Sequence, residues 1–347
     1  MKKSFIALAV LAASGVASAQ SSVTLYGIVD VWFGSTKTDT LVGNQAVGTR
    51  QTKVDSGGVD ESRFGLKGSE DLGGGLKANF VLEQGFSLDT GTAGASNDYF
   101  GTKSAATTFS RQAYVGFSGG FGEAKIGKIA TAYDDISGVT RPAFNSALSP
   151  DSNVWVSHSA YTWNPSNTLY YVTPSMSGFS AAASYSFGEN KTAANDAGAV
   201  ISANVTYTAG PVYAGLAYQV QESTHNDLAA EFTRLNGSYD FGVAKLLAGY
   251  GHVKNPGSVT GKVDEYEIGV DFPVSSALTL SGGYAHSKTT EVAGSSDTKR
   301  DGYSLAASYA LSKRTYLYGG VQASKQKQDN MPDVKGDLYA VGIHHVF

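Results

Sequence analysis

From residue 23 to residue 33 the chain alternates between two faces. Val23, Leu25, Gly27, Val29, Val31 and Phe33 fall on one side, and Thr24, Tyr26, Ile28, Asp30 and Trp32 on the other. A period of two is the repeat of a β-strand, whose successive side chains leave opposite sides of the pleat. Asp30 marks its face as one that meets water. The pattern returns at residues 179–187, where Phe179, Ala181, Ala183, Tyr185 and Phe187 oppose Ser180, Ala182, Ser184 and Ser186. It returns again at residues 201–208 and 265–272, and segments of about ten residues repeat it to the end of the chain.

The connectors sort into two classes that strictly alternate. Tight turns occur at Asp71-Leu72-Gly73-Gly74-Gly75, Ser118-Gly119-Gly120-Phe121-Gly122, Ser177-Gly178, Ala209-Gly210-Pro211, Asp240-Phe241-Gly242, Val274-Ser275-Ser276 and Leu311-Ser312-Lys313-Arg314. Between them lie longer polar stretches near residues 35–61, 88–110, 130–166, 188–199, 222–231, 254–263, 287–301 and 326–336. Short turns on one side and long loops on the other are expected of a transmembrane antiparallel β-barrel, here of about sixteen strands with both ends on the short-turn side. A soluble sandwich or propeller also alternates. It does not place small and hydroxyl residues on one face of nearly every strand and aromatic residues at the strand ends of the other. Phe187, Tyr207, Tyr250, Phe272, Tyr284, Tyr303 and Tyr309 read as interfacial girdles, and no 20–50-residue repeat signals propeller blades.

The N-terminus says which compartment receives the barrel. Lys2 and Lys3 precede the apolar run from Phe5 to Ala13, and Ala17-Ser18-Ala19 has the small-x-small form of a cleavage site before Gln20. The expected domains are a leader at 1–19 and one barrel at 20–347. The apolar run is shorter than the ~20 residues a spanning helix needs, and a mean hydropathy of −0.15 argues against a helical membrane protein. There is no cysteine among the 347 residues, so nothing staples the exported chain covalently. A ladder closed on itself needs no staple. Without the two leader lysines, 24 cations remain against 30 acids, a net charge of −6. No basic run suggests a nucleic-acid partner.

At the C-terminus Tyr339, Val341, Ile343, His345 and Phe347 alternate outward, and a terminal aromatic residue resembles the signal read by the outer-membrane assembly machinery. The stretch from Asp60 to Phe80, Asp-Glu-Ser-Arg-Phe-Gly-Leu-Lys-Gly-Ser-Glu-Asp-Leu-Gly-Gly-Gly-Leu-Lys-Ala-Asn-Phe, closely resembles the second hairpin of general-diffusion porins, particularly those of β-proteobacteria. Val23-Thr24-Leu25-Tyr26-Gly27 and Arg111-Gln112-Ala113-Tyr114-Val115-Gly116-Phe117 extend the resemblance over essentially the whole mature chain. It implies a homotrimer of sixteen-stranded barrels in the outer membrane, in contact with its lipid and lipopolysaccharide. Each barrel would be narrowed by an inward-folded third extracellular loop and would pass ions and small hydrophilic solutes.

Strand parity alone puts Arg63 and Lys67 opposite Phe64 and Leu66. A cation at the lipid midplane costs ~2–4 kcal/mol, so these two are expected in the lumen. Glu83, opposite Phe80 and Leu82, should share it. Arg111 matches the family's next wall arginine. Loop three, about 130–166, carries Tyr133-Asp134-Asp135, Arg141-Pro142-Ala143-Phe144 and Asp151. The family's usual Pro-acid-Phe-Gly turn has Ala143 at the acid and Asn145 at the glycine here, and Tyr170 stands where relatives often have a cation. The expected constriction set is therefore Arg63, Lys67, Glu83, Arg111, Asp134, Asp135 and Arg141, with weak selectivity leaning toward anions.

Other chemistries have little support. Asp151 and His158 lack a nucleophile elbow, so no enzyme activity is expected. The histidines lack metal-ligand spacing and no Ca²⁺ ladder is visible, so no metal or cofactor is expected. Two alternatives stay open. One is a substrate-specific channel using Tyr26, Tyr114 or Trp155 as an aromatic slide; the other is a plugged structural barrel or adhesin.

Overall fold

The structure, a computed structural model, describes residues 22–94, 108–189, 191–193, 196–222, 228–258, 260–290, 292 and 296–347. The expected leader at 1–19 lies outside the described residues, as does much of the connector at 88–110. The strands are β1 (Ser22–Val42), β2 (Gln45–Ser56), β3 (Arg63–Gly73), β4 (Leu76–Gly85), β5 (Gln112–Gly119), β6 (Gly122–Lys128), β7 (Thr168–Val172), β8 (Phe179–Ser186) and β9 (Val200–Ala209). They continue as β10 (Val212–Gln221), β11 (Ala230–Asp240), β12 (Lys245–Lys254), β13 (Lys262–Pro273), β14 (Leu278–Thr290), β15 (Thr298–Ala310), β16 (Thr315–Gln328) and β17 (Val334–Val346).

Except at the break between β2 and β3, each strand pairs antiparallel with the next in sequence, and β17 returns to β1, so the barrel is closed. The upper part of β1 pairs with β2 and the lower part with β3. Those two strands make one stave interrupted at 57–62, and the closed barrel has sixteen staves. Backbone bonds between Gly27 and Phe347, 3.0 and 3.2 Å long, seal the seam at the chain ends. Leu216, Leu235, Ile268, Leu305 and Val341 each leave more than half their surface exposed on the outer face. Aqueous surroundings would penalise so broad an apolar belt, and a hydrocarbon layer removes the penalty.

The stretch at 35–61 departs from the expected long loop. β1 runs on to Val42 and turns back at once into β2, which leaves only residues 57–62 irregular. Above the apolar band both faces of this hairpin meet water, so hydrophobic alternation stops while the ladder continues. Threonine and valine keep the backbone extended there.

Residues 57–62 are held by one buried carboxylate. Asp30 accepts the backbone N–H groups of Gly58, Val59 and Asp60 at 2.9, 3.1 and 3.0 Å and the Tyr318 hydroxyl at 2.6 Å. Its own N–H donates to Ser62 Oγ at 2.9 Å. This nest fixes the direction in which Asp60 and Glu61 leave the wall.

Loop three spans residues 129–167 and turns into the barrel. Its short helices are α1 (Asp134–Ser137), α2 (Pro142–Asn145) and α3 (Ser157–Ala160). Within α2, Ala143, Phe144 and Asn145 take left-handed conformations, with φ of 54, 66 and 51°. The loop packs along the inner wall of the later strands. The Ala143 N–H donates to Ser281 Oγ at 2.7 Å, Ser287 Oγ donates to the Val154 carbonyl at 2.7 Å, and the N–H groups of Val156 and Ser157 donate to Glu265. Pro142 seats on Gly269 and Gly283, where a Cβ on either glycine would come within 2.7 Å of the ring or closer. Tyr133, Ile136 and Leu148 are fully buried beneath the loop.

Replacing Asp30 by Ala removes a charged acceptor from three backbone donors, each such bond being worth about 1.5–3 kcal/mol. Asp30→Ala is expected to lower the thermal midpoint of the detergent-solubilised barrel and to make 57–62 the first site of proteolysis; resistance equal to wild type would count against the nest as the anchor.

Candidate functional site

Opposite the wall that carries loop three, β3, β4 and the start of β5 bring charged side chains together. Arg63 and Glu83 face each other because their strands pair Arg63 with Gly85 and Gly65 with Glu83, which puts both side chains on the inner face. Arg63 Nε lies 3.7 Å from Glu83 and its Nη2 3.2 Å from Asp60. Arg111 Nε lies 2.8 Å from the other Glu83 oxygen, and its Nη1 pairs with Glu61. One carboxylate thus bridges two arginines, and each arginine takes a second acid from the 57–62 segment.

Lys67 is exposed on the same face, 4.9 Å above the Tyr26 ring, and the Tyr26 hydroxyl donates to Glu83 at 3.0 Å. Among the described residues no carboxylate pairs with Lys67. On β6, Lys125 points inward between the rings of Tyr114 and Tyr170, at 5.2 and 5.0 Å, and binds Glu123 at 3.0 Å. Sequence reasoning missed Lys125, Asp60 and Glu61 in this cluster. The register of β6 against β7, with Lys125 opposite Tyr170, would have found the first.

Loop three brings its own charges. The Tyr170 hydroxyl donates to Asp135 at 2.8 Å, and Asn204 adds a bond of 3.0 Å. Tyr170 therefore compensates the missing wall cation by hydrogen bonding to the acid instead of opposing it. Burial against the wall pushes the Asp135 carboxyl up to about 6, against those two bonds and the pull of Lys125. Burial also raises Asp134, which accepts from Tyr161 at 2.6 Å and feels the charges of Arg111 and Arg234.

Arg141 is placed differently. It grips Asp151 through two bonds of 2.7 and 2.9 Å, reaches Asn145 Oδ1 at 2.6 Å, and so staples the loop to itself. Asp151 is fully buried and also holds His158. Although burial alone would raise it, the Arg141 charge keeps Asp151 ionised; burial and the same charge push the His158 imidazole down to about 4. Ala143 is fully buried against the β14 wall, so an acid there would not reach the lumen.

Trp155, one of the candidate slide residues, is also buried. Its ring lies between His158 at 5.8 Å and the Arg234 guanidinium at 4.8 Å. Tyr26 and Tyr114 are spent on Lys67 and Lys125, so the three aromatic residues form no common track.

Comparison with known proteins agrees with this architecture. A family model described as Gram-negative porin matches residues 7–329. Outer membrane porin protein 32 of Delftia acidovorans is 34% identical, over 99% of this chain and 95% of the relative. An outer membrane porin protein of Bordetella pertussis is 30% identical over the full length of both. The solved anion-selective porin from Comamonas acidovorans superposes with a TM-score of 0.76 at 28% identity, covering 94% of this chain and 100% of that one. A closed sixteen-stave barrel with an apolar outer belt and a polar interior, matched over its length by outer-membrane porins, belongs to the Gram-negative porin family and is a passive channel of the outer membrane.

Proposed function

We propose that the channel is a general-diffusion pore for ions and small hydrophilic solutes, narrowed between the Arg63, Lys67 and Arg111 wall and loop three, with a weak preference for anions. The observation that carries it is the two-sided lumen. One wall holds a cluster of solvated charges, and the other is covered by a loop fastened along its length. No step in this reading turns over a substrate.

Charge balance supports a weak preference. Arg63, Lys67, Arg111 and Lys125 stand with four acids, Asp60, Glu61, Glu83 and Glu123, so this wall is close to neutral and any preference that it sets is weak. Asp134 and Asp135 add less than two charges because both hold their protons more tightly than ordinary carboxylates. Arg141 is neutralised by Asp151 and adds nothing to the field. What remains acts only over the ~8–10 Å that physiological salt allows. The Comamonas relative is described as anion-selective.

The resemblance and the family further support export by a leader cleaved before Gln20, recognition of terminal Phe347 by the outer-membrane assembly machinery, assembly as a homotrimer, and an outer face in contact with lipopolysaccharide.

Planar-bilayer recording tests the reading: stepwise ohmic conductance in simple salt is expected, and a silent bilayer would sink it. In a KCl gradient, Glu83→Gln should move the reversal potential toward anions, and the double change Arg63→Glu with Arg111→Glu toward cations. Unchanged potentials would place the narrowest point elsewhere. Acidification should also favour anions. Asp135 carries its negative charge above about pH 6 and loses it below, so anion preference is expected to rise as the pH falls through that value, and the rise should vanish in Asp135→Asn.

A further inference from the structure

The chain has three tryptophans, at 32, 155 and 163, and packing accounts for two of them. Trp32 is buried in the apolar cluster that receives Ala143 and Leu148, and Trp155 is buried between His158 and Arg234. Trp163, near the end of loop three, is only half-buried and joins no apolar cluster among the described residues. Its ring centroid lies 5.1 Å from the Arg111 guanidinium. An indole left partly in water inside a polar lumen is not there for a core, and the cation is the partner it has.

The backbone around Trp163 is pinned independently of the ring. Its carbonyl accepts the Thr131 N–H at 2.8 Å, and Gln219 Nε2 donates to the Thr162 carbonyl at 3.0 Å. Asn164 Nδ2 donates to the carbonyls of Ser110 and Arg111 at 3.2 and 2.8 Å. Indole and guanidinium are therefore brought together by bonds that neither of them makes. On the side of β4 the Arg111 stem lies against Gly85, where a Cβ would come within 3.2 Å of Arg111 Cγ and Cδ. Gly85 has no left-handed φ that would call for a glycine, so what the position supplies is room for that stem.

What the ring does follows from what the acids do. Glu83 and Glu61 hold the guanidinium through Nε and Nη1, and they cancel its charge as they hold it. A ring face attracts a cation through its quadrupole and carries no net charge. It fixes the guanidinium plane without neutralising it further. Nη2 makes no hydrogen bond or ion pair among the described residues and is left for an anion in the lumen. The two lysines of this wall also stand over rings, Lys67 over Tyr26 and Lys125 between Tyr114 and Tyr170.

We propose that Trp163 is a positioning residue for anion passage, holding Arg111 in the orientation that keeps Nη2 open to permeating anions. Without the ring the guanidinium is free to turn its third nitrogen toward Glu83 and Glu61, and the wall loses that contact. The proposal rests on Arg111 standing at the constriction, and it names the residue through which loop three acts on that arginine.

The test records single channels of the purified full-length protein in planar bilayers under a KCl gradient. Trp163→Leu keeps apolar bulk without a ring face, and Trp163→Phe keeps the face. A cation–π contact reached by water biases an equilibrium about two- to fivefold, so Trp163→Leu should lower the chloride-over-potassium permeability ratio about twofold while Trp163→Phe stays near wild type. In an Arg111→Gln background Trp163→Leu should change nothing more. An unchanged ratio in Trp163→Leu, an equal fall in Trp163→Phe, or a fall that persists in full without Arg111 would each overturn the proposal. Arg111→Gln alone tells the two readings apart. If it leaves the ratio unchanged, Arg111 does not stand at the constriction; if it lowers the ratio and Trp163→Leu does not, only the positioning role is lost. Stepwise conductance in each variant shows that the barrel has assembled.

Discussion

The closed hydrogen-bond ladder is the constraint on which the rest of this molecule depends. In hydrocarbon no water is present to satisfy a backbone N–H or C=O, so a spanning sheet must leave no edge. The pairing of β1 with β17, sealed by Gly27 and Phe347, meets that demand. Once the seam is closed, the outer face is free to be apolar and the inner face polar, and the alternation along each strand follows. Sixteen staves also make the barrel wide enough to admit residues 129–167 as a lining.

That lining divides the interior into two electrostatic regimes. Under loop three, Asp151, Arg234 and Glu265 are buried and, with Arg141, serve as fasteners, each held by named partners. Across the lumen, Arg63, Glu83 and Arg111 also make ion pairs, but water reaches Arg63 and Arg111, whose side chains are 19 and 15% exposed. Breaking a buried pair strands a charge. Solvated ones set the local potential that permeating ions meet. The same residue types do mechanical work on one wall and electrostatic work on the other.

The fold was legible because lipid and water write a period of two into every strand. The inward placement of Arg63, Lys67 and Glu83 was readable for the same reason, since parity fixes a face. What parity does not fix is partnership. Glu61 and Asp60 reach the arginines only because Asp30 holds residues 57–62, and Asp30 sits in β1 with no local mark of that role. Arg141 looked like a lumenal cation and is a clamp, because its acid lies ten residues on in an irregular loop with no period to read. The hairpin of β1 and β2 was hidden for the opposite reason. With water on both sides, its pattern carries no contrast.

Loop three is fastened to side chains that come much later in the chain. Ala143 meets Ser281, 138 residues away, and Val154 meets Ser287, 133 residues away. Such contacts carry a large loop-closure cost. The lining of one wall therefore depends on a strand that comes more than 130 residues later in the chain. A change of register in β14 would therefore be felt in the lumen, through the loop that β14 holds.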